Sequence, residues 1–265
     1  NAHFLRGVLR ELIARGHDVV AYEPEGAWSL ANLLADHGPE GLDAWRGAYP
    51  ELSSVAFGAE ADLAALTEGA DLVIVHEWNE LELVASLGRL RARGAPFLLL
   101  FHDTHHRAVS APHEMQRYDL DGYDGVLAFG ATLAEVYRSW GWRNVFVWHE
   151  AADTRLFHPP AEEGERAGLV WIGNWGDGER TQELENFLLE PAREAGLPLA
   201  IYGVRYPAEA LALLDRYGVA YRGWLPNPRA PHVFARALAT VHVPRRFYTQ
   251  MLPGIPTIRV FEALA

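Results

Sequence analysis

Two residue types are missing outright. The chain of 265 residues has no cysteine, which excludes disulfides, thiolate nucleophiles and zinc–thiolate sites. It has no lysine either, so all 23 basic residues are arginine. That removes a P-loop lysine, Schiff-base chemistry and a lysine general base. Basic charge is outweighed by 35 acidic residues, and the formal net charge is −12. Such a surface repels phosphate backbones and anionic headgroups, so nucleic acid and membrane surfaces are poor partners. No apolar run reaches the ~18 residues of a transmembrane helix, and no signal-peptide pattern opens the chain, so a cytoplasmic setting is expected. Glycine and proline, 24 and 16 residues, are too few and too scattered for a collagenous or low-complexity chain. No Gly-x-Ser-x-Gly elbow exists for serine-based hydrolysis.

What is present is globular. The hydrophobic fraction is 49% and the charged fraction 22%, near the usual soluble balance. The length favours two domains and is sufficient for a core without disulfides or metals. Both ends read as cut: the chain opens at Asn1 on the threshold of a helix and stops at Ala265 inside a helical pattern with no cap or glycine stop.

Leu5, Val8, Leu9 and Leu12 stand at i, i+3, i+4 and i+7, predicting an amphipathic helix over residues 2–15 that Gly16 ends. His17-Asp18-Val19-Val20-Ala21-Tyr22 reads as a short strand, with helical segments at 27–37 and 60–68. Asp71-Leu72-Val73-Ile74-Val75-His76, Phe97-Leu98-Leu99-Leu100-Phe101-His102 and Gly125-Val126-Leu127-Ala128-Phe129 are continuous apolar runs. Such runs indicate parallel strands buried on both faces. Leu133, Val136, Tyr137 and Trp140 place a helix after the third run. A polar stretch, Pro159 to Glu165, interrupts the pattern. It restarts with strands at 169–173 and 199–203, helices at 181–195 and 207–217, and candidate strands at 221–223 and 240–243. Alternating strands and helices predict an α/β fold, with doubly wound parallel sheets in two successive domains joined near residue 160.

In open α/β sheets ligands bind beyond the carboxyl ends of the strands. The residues to inspect are therefore His76-Glu77-Trp78-Asn79, the cluster His102 to Arg107, the loop Gly173 to Arg180, and Arg245-Arg246. The Gly173–Arg180 loop joins a strand to a helix and holds three glycines. Its backbone N–H groups suit a phosphate, with Arg180 as a partner; the bland alternative is a turn that needs positive φ. His102 suits a general base or a hydrogen-bond partner of substrate, or else a strand-end cap. His76 and Glu77 divide the same way. The histidine cluster also admits a metal, yet three ligands in one short loop seldom reach one ion, so no metal is expected. Trp175, Tyr202 and Trp224 offer rings for stacking or for packing. The run Arg89-Leu90-Arg91-Ala92-Arg93 reads as a solvated helix face.

Four passages, in order, carry a resemblance. Asn1-Ala2-His3 leads into the first helix and Arg15-Gly16-His17-Asp18-Val19. Glu150-Ala151-Ala152-Asp153-Thr154-Arg155-Leu156-Phe157-His158-Pro159 lies between the domains. Trp171-Ile172-Gly173 runs on to Arg180, and Pro256-Thr257-Ile258-Arg259-Val260-Phe261-Glu262 leads to the end. The set resembles GT-B glycosyltransferases, specifically the CgeB-like, spore-maturation-protein-type family. The resemblance implies two Rossmann-like doubly wound domains facing a cleft: residues 1–160 on the acceptor side and 161–265, incomplete, on the nucleotide-sugar side. It implies no resident cofactor, with a nucleoside-diphosphate sugar as co-substrate and an acceptor that the sequence does not name. Gly173, Asn174, Gly176, Arg180, Arg245, Arg259 and Glu262 would bind the donor. Glu262 would meet the ribose hydroxyls, and the arginines would stabilise the departing diphosphate without a metal. His102 and Asp103 would be catalytic, with His3, His76 and Glu77 on the acceptor or sugar side. Where relatives carry a glutamate eight positions before Glu262, this chain has Gly254. Two alternatives remain: a noncatalytic nucleotide-sugar-binding protein, and a metal-dependent hydrolase built on His102, Asp103, His105 and His106.

Overall fold

A computed structural model describes residues 2–161, 164–176 and 178–265, with the side chains of residues 2, 3, 28, 29 and 36 outside that description. In chain order the elements begin with α1 (Ala2–Ala14), β1 (Ala21–Pro24), α2 (Trp28–Ala48), β2 (Ser54–Phe57) and α3 (Leu63–Leu66). β3 (Leu72–His76), α4 (Leu81–Ala92), β4 (Leu98–Asp103), α5 (Arg107–Ser110), α6 (Pro112–Met115), β5 (Gly125–Ala128), α7 (Ala131–Ser139) and β6 (Val145–Val147) follow. Next come β7 (Leu169–Ile172), α8 (Thr181–Leu184), which continues through a π-helical turn into α9 (Glu190–Glu194), β8 (Leu199–Tyr202), α10 (Ala208–Arg216) and β9 (Ala220–Tyr221). The last are α11 (Ala230–Phe234), β10 (Ala239–Thr240), α12 (Arg246–Gln250) and α13 (Ile258–Leu264).

Among the described residues the strands form three parallel sheets, ordered β1-β2, β3-β4-β5-β6 and β10-β7-β8-β9. The chain is an α/β protein of Rossmann-like construction. It divides into two compact units. The first gathers Asn1–Phe57, Ala151–Arg246 and Pro256–Ala265; the second gathers Gly58–Glu150 and Phe247–Ile255. Residues 1–57 thus share a unit with β7–β10, whereas the sequence reading groups them with residues 58–160. The first unit is packed around Trp171, Leu184, Leu188, Ile201 and Leu214. The second is packed around Leu99, Phe101, Val126, Leu133 and Tyr137, with Leu252 and Ile255 returning to it from the later segment.

Three expectations need correction. The first strand is β1, four residues later than predicted, because its parallel register with β2 runs from Ala21↔Ser54 to Pro24↔Phe57. The helix predicted to stop at residue 37 continues to Ala48, broken only at Gly38 (φ 61°, ψ −167°) ahead of Pro39. Burial on both faces holds for β5 alone among the three apolar runs: Leu72, Ile74 and Leu98 are exposed while Val75, Leu99 and Phe101 are buried. The residues of β3 and the start of β4 therefore alternate between a covered and an uncovered face, while His102 and Asp103 at the end of β4 are both buried. No described helix is long and apolar enough to cross a membrane.

Candidate functional site

In the first unit, β7 ends at Ile172 and the chain turns through Gly173, Asn174, Trp175 and Gly176 towards α8. Gly176 has φ +77°, a conformation that side chains with a Cβ rarely adopt. The turn is held from behind. The Tyr206 hydroxyl donates to the Gly173 carbonyl at 2.8 Å. Arg180 donates through Nη2 to the Asn174 carbonyl, through Nε to the Trp175 carbonyl at 3.3 Å, and through Nη1 to the Val243 carbonyl at 3.0 Å. Its guanidinium also lies 5.1 Å from the centre of the Trp171 ring. The Val204 N–H donates to Asn174 Oδ1 at 3.2 Å. The Trp175 ring is buried, with its N–H donated to Thr181 Oγ1 at 3.0 Å. Arg245 donates to Glu179 at 3.1 Å. A Cβ on Gly176 would lie 3.6 Å from Arg180 Nε and 3.7 Å from Arg245 Nε. Two guanidinium groups therefore flank one glycine at the end of β7.

A cavity of about 320 Å³ opens beside this turn within the first unit, bounded by Gly173, Asn174, Gly203, Trp224, Asn227 and Arg259. Trp224 stacks on His37 with ring centres 3.6 Å apart and planes at 16°. Of the three aromatic candidates, Trp224 reaches the cavity. Trp175 serves packing, and Tyr202 packs against the small cluster around Phe157 and Ile172. Glu262, on α13, is 3% exposed and so is not a solvated helix residue. Its Oε2 accepts from Arg259, which also donates to Asn227 Oδ1 at 3.3 Å. Among the described residues Glu262 Oε1 and Asn227 Nδ2 are buried without a hydrogen-bond partner. Burial pushes the Glu262 carboxyl above its ordinary range, against the pull of Arg259.

The second unit brings the other candidates to the carboxyl ends of β3 and β4. His76 pairs in register with His102, and their rings meet edge-on at 5.2 Å. The Trp148 ring lies 4.9 Å from that of His102. Glu77 and Asp103 are fully buried. Glu77 accepts from the Thr104 N–H at 3.0 Å, from the Thr104 hydroxyl at 3.2 Å and from Arg107 at 3.0 Å. His76 Nδ1 accepts from the Trp78 N–H at 3.4 Å, which leaves the proton on Nε2, 3.2 Å from the Thr104 hydroxyl. A chain of hydrogen bonds thus runs from His76 through Thr104 to the Glu77–Arg107 pair. Asp103 accepts from the Tyr137 hydroxyl at 2.7 Å and the His105 N–H at 2.9 Å.

Burial sets the protonation states here. It lowers His102 to about 4, and with the neighbouring His102 it lowers His76 to about 3, so both rings are neutral at pH 7. Burial raises Glu77, opposed by Arg107 and Thr104. It raises Asp103 well above the usual carboxylate range, reinforced by the charge of Glu77. Each Asp103 oxygen already has a protein donor, so this side chain fixes the turn after β4 to α7.

The His3 side chain lies outside the described residues, as does Asp177 of the glycine loop. Among the described residues no group of three or more His, Asp or Glu side chains is arranged to hold a metal ion; His106 instead pairs with Ser110 at 2.9 Å and stacks near Phe247. Within the arginine run, Arg91 departs from a solvated face: it grips Asp124 with two bonds of 2.9 and 3.0 Å. The sequence offers Arg107 only as the end of the His102 cluster and Tyr137 only as part of a helix face, and it does not point to Tyr206 or Asn227. Asn227, within Trp-Leu-Pro-Asn-Pro after a strand, had a turn signal; Tyr206 had none.

Comparison with known proteins gives two family models. One described as Glycosyltransferase Family 4 matches residues 2–156, and one described as Glycosyl transferase-like matches residues 180–265. Among solved structures, an alpha-glucosyltransferase in complex with UDP and a 13-mer DNA containing a HMU base is 10% identical at a TM-score of 0.57, covering 92% of this chain and 70% of that one. An alpha-glucosyltransferase in complex with UDP is 10% identical at 0.54, covering 92% and 71%. An alpha-glucosyltransferase with UDP and a 13-mer DNA containing a central A:G mismatch is 10% identical at 0.53, covering 89% of this chain and 65% of that one. These likenesses establish the GT-B type of fold, over a chain that spans about two thirds of their length. No curated protein matches in sequence.

Proposed function

Since the chain belongs to Glycosyltransferase Family 4, we propose that it moves a sugar from a nucleoside-diphosphate sugar to an acceptor, as a CgeB-like member. The observation that carries this reading is the end of β7, where a glycine turn is flanked by Arg180 and Arg245. The carboxyl edge of a parallel sheet is where α/β proteins take phosphorylated ligands, and backbone N–H groups with arginines suit a diphosphate. Glu262 supports it with an acceptor oxygen that no described residue satisfies, as a ribose hydroxyl would.

In this reading the diphosphate leaves as the acceptor oxygen bonds to the anomeric carbon. Arg245 and Arg259 offset the charge that develops on the leaving group, with no metal needed. The acceptor belongs to the edge bearing His76, Glu77, His102 and Asp103. Neutral His102 offers a hydrogen bond to an incoming hydroxyl, while Asp103 and Glu77 hold the turn that presents it. UDP is the first nucleotide to try, because the structural neighbours hold it. A net charge of −12 opposes a polyanionic acceptor.

Thermal unfolding with UDP, GDP, ADP and TDP, each with and without chelator, tests the reading. A nucleotide at ~100 times its Kd stabilises by about 2.7 kcal/mol, or roughly 5–10 °C at this chain length. A chelator-insensitive shift with one nucleotide is expected. No shift with any of them, together with destabilisation by chelator alone, overturns it.

A further inference from the structure

The turn after β7 has an unusual bonding pattern. Its three consecutive carbonyls, at Gly173, Asn174 and Trp175, each accept from a side chain: the first from Tyr206, the other two from Arg180. A trans peptide is planar, so the C=O of one residue and the N–H of the next point in opposite directions. A carbonyl drawn towards Arg180 or Tyr206 therefore turns the following N–H away from it. The three amides so directed are those of Asn174, Trp175 and Gly176. Successive N–H groups ending at a residue of positive φ make an anion-binding concavity, and Gly176 supplies that φ.

Resting on the donor reading above, we propose that Arg180 and Tyr206 are positioning residues: they brace the turn from behind so that its N–H groups face the donor diphosphate, and neither touches the ligand. This departs from the expectation that Arg180 pairs directly with a phosphate oxygen. Its Nε, Nη1 and Nη2 are all directed to backbone carbonyls. The bond to Val243 also ties the turn to the segment that carries Arg245.

A brace and a charge contact respond differently to substitution. Arg180→Lys keeps the charge but cannot reach three carbonyls at once. Tyr206→Phe removes one hydroxyl and no charge. If the brace is real, Arg180→Lys weakens UDP binding about as much as Arg180→Ala does, by tenfold or more, and Tyr206→Phe weakens it about three- to tenfold. If Arg180 is a charge contact, Arg180→Lys binds nearly as wild type and Tyr206→Phe is silent; that result overturns the proposal. The ligand-free protein supplies a second measurement. The ¹⁵N heteronuclear NOE at Asn174, Trp175 and Gly176 should fall in both Arg180→Lys and Tyr206→Phe, and unchanged values overturn the brace whether or not any nucleotide binds. Absence of UDP, GDP, ADP and TDP binding by the wild type, with the NOE falling as expected, instead refutes the donor reading and leaves the brace standing.

Discussion

A single methyl group at position 203 tests how tightly the end of β7 is built. Gly203 follows β8, and a Cβ there would lie 2.1 Å from the Gly173 carbonyl oxygen and 2.9 Å from Tyr206 Cε2. Non-bonded carbon contacts settle near ~3.5 Å, so Gly203→Ala demands a displacement of more than ~1 Å. The oxygen has little freedom to retreat. It accepts from Tyr206 at 2.8 Å, and the Gly173 N–H is committed to the Tyr202 carbonyl at 2.9 Å. On the other side, Gly203 donates to the Gly223 carbonyl at 2.8 Å and accepts from the Tyr221 hydroxyl at 2.9 Å. Overpacking of this kind costs about 1–3 kcal/mol, and loss of one hydrogen bond adds about 1 kcal/mol. The sum, about 2–4 kcal/mol, lowers the melting temperature by roughly 5–15 °C. Differential scanning fluorimetry of Gly203→Ala reads this directly. Gly47→Ala is the control: a Cβ there meets nothing within 4 Å, in helix α2, and should gain about 0.5–1 kcal/mol. A Gly203→Ala variant that melts within 2 °C of wild type would refute the reasoning about the close approach of β7 and β8.

Two further outcomes follow from the second unit. Burial lowers His76 to about 3 and His102 to about 4, whereas the unfolded chain protonates both near pH 6.5. Their contribution to stability is complete above pH 6.5 and is lost as the pH falls towards those values, at up to about 1.4 kcal/mol per pH unit for each ring. His102→Asn should therefore lose less stability than wild type between pH 7 and pH 5, read from urea midpoints; an equal or steeper loss refutes the assigned burial. Arg107→Met leaves the fully buried Glu77 without its cation, at a cost of about 3 kcal/mol at pH 7. That cost should shrink as the pH falls from 7 to 5, because Glu77, already raised by burial, takes up a proton more readily once its cation is gone. A penalty independent of pH between 7 and 5 would show that charge is not its source.

The legible parts of the sequence were the strongly patterned ones. The apolar runs became β3, β4, β5, β7 and β8 with shifts of about a residue at their ends, because unbroken runs of β-branched and large apolar side chains favour strands. β2 and β6 are defined by parallel pairing with a neighbour, which sequence pattern does not display. Gly38-Pro39 reads as a helix stop, yet the helical path resumes beyond it. The glycines after β7 announced a turn of unusual backbone, since few other residues tolerate the positive φ of Gly176 and Gly178. The task of Arg180 was not legible: sequence shows a cation near glycines but not the carbonyls that claim it. Nor could spacing reveal that Asp103 is spent on Tyr137, thirty-four residues later.

The route of the chain between the two units carries a consequence for its synthesis. It passes from one to the other after Phe57, Glu150, Arg246 and Ile255. The compartment holding β7–β10 thus draws on three separate stretches, the earliest of which emerges from the ribosome before the whole of Gly58–Glu150. That early stretch, with Phe4 and Tyr49 that are buried in the finished fold, waits for its partners while the other compartment is still growing. Contacts so distant along the chain form slowly, and apolar surface left waiting invites self-association. Production of this protein should accordingly be sensitive to translation speed and to chaperone supply. Cutting it into its two compartments at one point along the chain would yield neither of them whole.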